Sequence, residues 1–138
     1  MLQRILSNKI VMSSTTLMKK ELKERKMMKI NGINYKIFKV EDHLVNIAEA
    51  LSEGLARWAK GEAVALDFSG LRPRGANTSF EGVSTGAASF VKTFNDMVQL
   101  LSCPNVKRHT PVAILAKAHS DSGEFNNLDT PQIIRLQK

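Results

Sequence analysis

One cysteine, one tyrosine, one tryptophan and four prolines are all that this chain of 138 residues contains of those types. A lone thiol, Cys103, excludes an internal disulfide framework and a four-cysteine zinc site, and a reducing, intracellular setting is the natural expectation. No apolar run approaches the ~18 residues needed to cross a bilayer, so no membrane partner is expected. The composition, 43% hydrophobic and 24% charged, is that of a soluble globular protein, and the length suits one domain or part of one. Acidic residues are missing from the first twenty positions, which hold Arg, Lys, Ser and Thr instead. Organelle transit segments share that bias, and the stretch is too polar for a secretory signal. A cytoplasmic location is the expectation, with the transit reading kept beside it.

What is abundant is positive charge, and it is unevenly placed. Residues 1–31 carry eight cations, from Arg4 to Lys29, against Glu21 and Glu24, which accounts for +6 of the net +7. The basic balance therefore belongs to an N-terminal arm of residues 1–28. Such an arm is read as a solvated extension, and nucleic acid is not the expected partner, although the charge would suit one.

Along the chain, Ser13-Ser14-Thr15-Thr16 marks a break and residues 17–28 suit a short helix rich in Lys and Met. Asn31-Gly32, flanked by alternating apolar and polar residues, predicts a hairpin with one short strand before Asn31 and another over 33–40. Asp42 can cap a helix of about 42–60 whose apolar face is Leu44, Ile47, Leu51, Leu55 and Trp58, with Gly61 as its stop. Ala63 to Phe68 reads as a short strand. A second helix of about 84–101 has Phe90, Phe94, Met97 or Val98, and Leu101 on its inner face. Pro111 to Ala116 reads as another strand, and residues 126–138 as a polar, loosely held tail. The alternation of strand and helix predicts an α/β fold with partly parallel pairing.

Between the Ala63–Phe68 strand and the second helix lies a loop of about 69–83. It contains Arg72, Pro73 and Arg74, with glycines at Gly70, Gly75 and Gly82, and Gly86 follows at the helix start. A basic, glycine-bearing loop that runs into a helix N-terminus suits a phosphate, because backbone N–H groups can approach an anion where no Cβ intrudes and the helix dipole favours negative charge there. An ordinary surface loop with two solvated arginines reads the same way.

The order of residues resembles a known family. Leu66-Asp67-Phe68-Ser69, Leu71-Arg72-Pro73-Arg74-Gly75-Ala76 and Ser84-Thr85-Gly86-Ala87-Ala88-Ser89-Phe90-Val91 are similar to "FDFS", "LRPKGA" and "SSGPVSFM" in the large, catalytic subunit of ribonucleotide reductases, above all the cobalamin-dependent class. His119-Ser120-Asp121-Ser122-Gly123-Glu124-Phe125 is similar to "HPDIxEF", and Val40-Glu41-Asp42-His43-Leu44 to "VEDSL". The likeness is collinear over about residues 40–125. It implies part of a ten-stranded α/β barrel, of which about three strands would lie here, with amphipathic helices flanking the phosphate-type loop.

The resemblance also implies roles. Asp42 would accept from the sugar hydroxyl of a deoxynucleoside triphosphate effector, Arg72 would meet its phosphates, and Arg74 and Ser84 would lie nearby. The two helices would form a dimer face through Leu44, Leu51, Leu55, Phe90 and Phe94, although the same stripe suits packing on the sheet. Chemistry, by contrast, is missing. The family has a reducing cysteine seven residues before the effector-binding Asp, where this chain has Tyr35, and tyrosine cannot form a disulfide. The family's thiyl cysteine and catalytic Asn and Glu lie beyond the matched region, so no catalytic residue is assigned. Adenosylcobalamin would belong only to a completed enzyme. Its "GGKRRGA" loop becomes Pro104-Asn105-Val106-Lys107-Arg108-His109-Thr110, which keeps charge and loses glycine freedom. Cys103 reads as a hydrophobe at a helix end, His119 as structural, and no metal site is expected.

Residues 29–125 are thus expected to form a ribonucleotide-reductase-like fragment. It would carry the effector-binding and dimerisation region, and pair with a second copy or a complementary ribonucleotide reductase fragment. A non-catalytic nucleotide-binding paralogue and a small basic structural or nucleic-acid-associated protein are the competing readings.

Overall fold

The computed structural model describes residues 26–76, 82 and 84–138. Most of the basic arm and the outer part of the loop lie outside the described residues. Strand β1, Lys26–Ile30, begins the described chain and β2, Ile33–Lys39, follows it. Residues 26–28, which the Lys- and Met-rich pattern put in a helix, are therefore extended. Asn31 and Gly32 both have positive φ, 52° and 80°, which is what a two-residue hairpin turn requires and what those two residues tolerate. The turn fixes the register: Ile30 faces Ile33 and Met28 faces Tyr35.

From β2 the chain alternates. Helix α1 is Leu44–Ala59, β3 Val64–Asp67, α2 Ala87–Leu101, β4 Val112–Leu115, α3 Ser122–Asn126 and β5 Ile134–Gln137. The strands form one open sheet in the order β1-β2-β3-β4-β5, antiparallel at the hairpin and parallel from β2 onward. The expected α/β part-barrel is present, and four of its five strands fall where strands were expected. The fifth is β5, in the segment read as a loose polar tail. Ile133 is buried in the core, Gln132 N–H donates to Asn95 Oδ1 at 2.8 Å, and Arg135 Nη1 donates to the Phe125 carbonyl at 2.7 Å. These contacts hold a strand whose own four residues show little pattern.

Side-chain alternation divides the sheet. Val64, Leu66, Ala113 and Leu115 meet the helices, together with Ile47, Leu51, Leu55 and Trp58 of α1 and Val91, Phe94 and Val98 of α2. Tyr35, Ile37, Ala65, Val112 and Ile114 form a second apolar cluster. Burial on both faces explains why β3 and β4 read as unbroken apolar runs. Leu51, Leu55 and Phe94, considered for a dimer face, are in the core, and Phe90 packs against it. Leu101 and Met97 are 51% and 37% exposed, so the inner face of α2 passes through Val98 instead. Cys103, read as a hydrophobe at a helix end, stands just past the end of α2 and is exposed.

Helix α1 lies close on β3. A Cβ on Gly54 would stand 3.1 Å from both methyl carbons of Leu66. Gly54→Val places a branched side chain there and should lower unfolding stability by about 1–3 kcal/mol through overpacking. Denaturant titration checks this, and an unchanged midpoint would show that the helix has room to move.

Candidate functional site

The site lies where β2 and β3 end. Parallel pairing brings their carboxyl ends to the same edge of the sheet, so the turn after β2 and the loop after β3 are neighbours. Asp42 and Arg72 meet there, with Arg72 Nε donating to Asp42 Oδ2 at 2.7 Å. Their side chains are 36% exposed for Arg72 and 32% for Asp42. Asp42 does not cap α1. The N-cap residue is His43, which makes no side-chain capping bond. A guanidinium across the turn offers the carboxylate a charge-assisted partner, a stronger bond than a cap to a neutral amide.

Arg74 is engaged differently. Its Nε donates to Glu124 Oε1 at 3.1 Å, and its Nη2 reaches the other oxygen of the same carboxylate and, at 3.0 Å, Ser89 Oγ. The hydrogen bonds and charge of Glu124 push the Arg74 guanidinium above its ordinary pKa. Ser84 closes the neck of the loop. Gly75 N–H donates to the Ser84 carbonyl at 2.9 Å, and Ser84 N–H to the Ala76 carbonyl at 2.7 Å. Ser84 Oγ accepts from Gly86 N–H at 3.0 Å and lies 3.4 Å from the Arg72 carbonyl. The fold thus brings Asp42 and Arg72 into contact, sets Ser84 behind Arg72 through the main chain, and turns Arg74 toward α3.

Two residues that sequence reasoning assigned no separate role, at the start of α3, hold the loop. Asp121 accepts from the Ala87 and Arg74 amides, and Glu124 holds the Arg74 side chain. Both sit inside the stretch similar to "HPDIxEF", which was the available signal. His119 is structural as expected: both ring nitrogens bond to main chain, at Leu71 and Asp121.

At the start of β2, Tyr35 is buried and its hydroxyl donates to the Thr110 carbonyl at 2.8 Å. Burial pushes that hydroxyl above its ordinary pKa, so the side chain stays a neutral donor. It braces the loop before β4. In that loop Arg108 donates to the Ala59 carbonyl at the end of α1 and lies 5.3 Å from the Trp58 ring. A cation there satisfies an orphan helix carbonyl.

Residues 35–132 match the family model described as ribonucleotide reductase, barrel domain. Among solved structures, the chain is similar to the class Id ribonucleotide reductase alpha subunit of Actinobacillus ureae, with a TM-score of 0.56 and 17% identity. That likeness covers 75% of this chain and 19% of the subunit, so the chain spans about a fifth of its neighbour's length and shares its fold there. No curated protein matches the chain closely. A family model that takes in β2 through the approach to β5, over a half-barrel sheet of the kind the motifs imply, shows that the chain belongs to the ribonucleotide reductase large-subunit barrel-domain family.

Proposed function

We propose that the chain carries the nucleotide effector-binding and dimerisation region of a ribonucleotide reductase large subunit, and that another polypeptide supplies the reduction of ribonucleotides to deoxyribonucleotides. The observation that carries this reading is the Asp42–Arg72 pair. A carboxylate that accepts and a guanidinium that donates, side by side and partly exposed, match a sugar hydroxyl next to a phosphate. The ligand is a deoxynucleoside triphosphate, with Asp42 at the sugar and Arg72 at the phosphates. Ser84 supports Arg72 through its hydroxyl, 3.4 Å from the Arg72 carbonyl.

Outside the site, α1 and α2 enclose a groove of about 490 Å³ lined by Ala48, Ser52, Ala56 and Ala59 on one side and Met97 and Leu101 on the other. Leu44, Val45 and Leu100 are exposed, Leu100 by 82%. Small residues let a second helix approach closely and the larger ones give it apolar area, which suits a second copy of this chain. The outer edge of β5 has no strand partner among the described residues, and a parallel strand of the missing half-barrel is its natural occupant. No helix among the described residues is long and apolar enough to cross a membrane, and the reaction proposed for the completed protein belongs in the cytoplasm.

Tyr35 favours one further reading, a nucleotide-binding paralogue without catalysis. A buried phenol stands where the family has a redox thiol, and Cys103 is exposed after α2. The cobalamin-dependent class rests on the motif likeness. By the same likeness the thiol that its radical would reach lies beyond the matched residues, so the residues of this chain would not hold the reacting groups of that cofactor. Adenosylcobalamin would belong to the completed enzyme alone.

Three outcomes test these statements. Purified chain given cobalamin, dithiol and ribonucleotide should form no deoxynucleotide, and turnover above background would refute the division of labour. Arg72→Ala should weaken deoxynucleoside triphosphate binding at least about tenfold, since a charge-assisted hydrogen bond is worth about 1.5–3 kcal/mol. Asp42→Asn should mainly reduce discrimination between sugars. Lys19→Ala, in the basic arm, is the control in calorimetric titration, and equal losses from Lys19 and Arg72 would reduce the site to nonspecific charge attraction. Sedimentation at micromolar concentration should show a dimer that Leu100→Glu dissociates. A monomer in both would leave the groove without its proposed occupant.

A further inference from the structure

One short turn holds the loop between β3 and α2 at three points. His119 Nδ1 accepts the Asp121 N–H at 3.0 Å, so the neutral ring carries its proton on Nε2, which donates to the Leu71 carbonyl at 2.6 Å. Asp121 Oδ2 accepts the Ala87 N–H at 2.9 Å, in the first turn of α2, and both its carboxylate oxygens lie 3.2 Å from the Arg74 nitrogen. The Asp121 residue is only 6% exposed. Gly86, with φ of 94°, makes room for it: a Cβ there would stand 2.8 Å from Asp121 Oδ2 and 2.9 Å from Arg74 Cβ.

We propose that Asp121 is a built-in anion that occupies the N-terminus of α2 in place of a ligand phosphate, and that with His119 it positions the Leu71–Arg74 turn so that phosphate recognition falls to Arg72. This rests on the effector reading above and sharpens it. A helix N-terminus attracts one anion, and here a tethered carboxylate fills it without the entropy loss of capturing a free one. A phosphate arriving there would have to displace a carboxylate already bonded to two amides, against like-charge repulsion. Arg72 lies between the clamped atoms, with the Leu71 carbonyl on one side and the Arg74 amide on the other. The clamp therefore sets the backbone from which Arg72 reaches Asp42. Arg74, held by Glu124 and Ser89, belongs to the scaffold. The two arginines that look alike in sequence separate into one for ligand and one for loop.

The test uses the full chain and formate, the anion that matches the group deleted by Asp121→Ala. Thermal unfolding is compared in sodium formate and in sodium chloride of equal ionic strength. The variant should melt below the native chain, and formate should raise its Tm by about 3 °C or more over chloride while leaving the native chain unmoved. Deoxynucleoside triphosphate affinity should fall by about fivefold or more in the variant and recover in formate. A purely structural loss would give the lower Tm without anion-specific recovery, and that result overturns the proposal. Asp121→Asn keeps the shape and one acceptor. It should fold, melt below the native chain and gain nothing from formate, because the place is filled; a native Tm for this variant also overturns the proposal. If the native chain binds no nucleotide, the effector reading fails, while the formate comparison still decides whether Asp121 is the anion of the helix.

Discussion

The loop at the carboxyl ends of β2 and β3 depends on the Asp121 carboxylate reaching back to the amides of Arg74 and Ala87. Residue 74 lies within the phosphate-like motif, and residue 87 opens the helix that follows the loop. One buried charge holds both, and two main-chain bonds between Ser84 and the Gly75–Ala76 pair draw the neck together. Loops between a strand and a helix are ordinarily the most variable part of an α/β unit. Here the base of the loop is fixed by a segment 34 residues farther along the chain, so its geometry is a tertiary property that the local sequence of the loop does not determine.

That dependence explains where sequence reasoning succeeded. The hairpin was legible because positive φ at Asn31 and Gly32 is a local demand met by local residues. Helix α1 was legible because Ile47, Leu51, Leu55 and Trp58 repeat at helical spacing over sixteen residues. The motif likeness over residues 40–125 put Asp42 beside Arg72, and the parallel register of β2 and β3 brings the two side chains within 2.7 Å. Legibility failed where long-range partners decide. Asp42 has the composition of a cap, but Arg72 competes for its carboxylate from thirty residues away. The four residues of β5 are all half-buried, with no alternation to read, and the strand forms because Asn95 and Ile133 dock the segment before it. On α2, Val98, one of two alternatives at its position, is in the core, and the inner face was misread only at Leu101, which lines the outer groove.

The two ends of β2 have separate consequences. Tyr35 stands at its start and Asp42 just past its finish, roughly 20 Å apart at about 3.3 Å per residue. At the start, a phenol buried against the Thr110 carbonyl has taken the place in which the family's resemblance puts a redox thiol. At the finish, a carboxylate and a guanidinium are paired and partly open to solvent. A strand transmits position along its length but not chemistry, so loss of the thiol at one end leaves the other end's geometry intact. The register that carries Asp42 to Arg72 is set by β2–β3 pairing and by Val64 and Leu66 packing under α1, none of which involves the Tyr35 hydroxyl. The two ends of β2 are therefore held independently of one another in this fold. On the proposed reading, this chain keeps the binding region while another polypeptide supplies reduction, and the Asp121 carboxylate braces that region by holding the Ala87 and Arg74 amides.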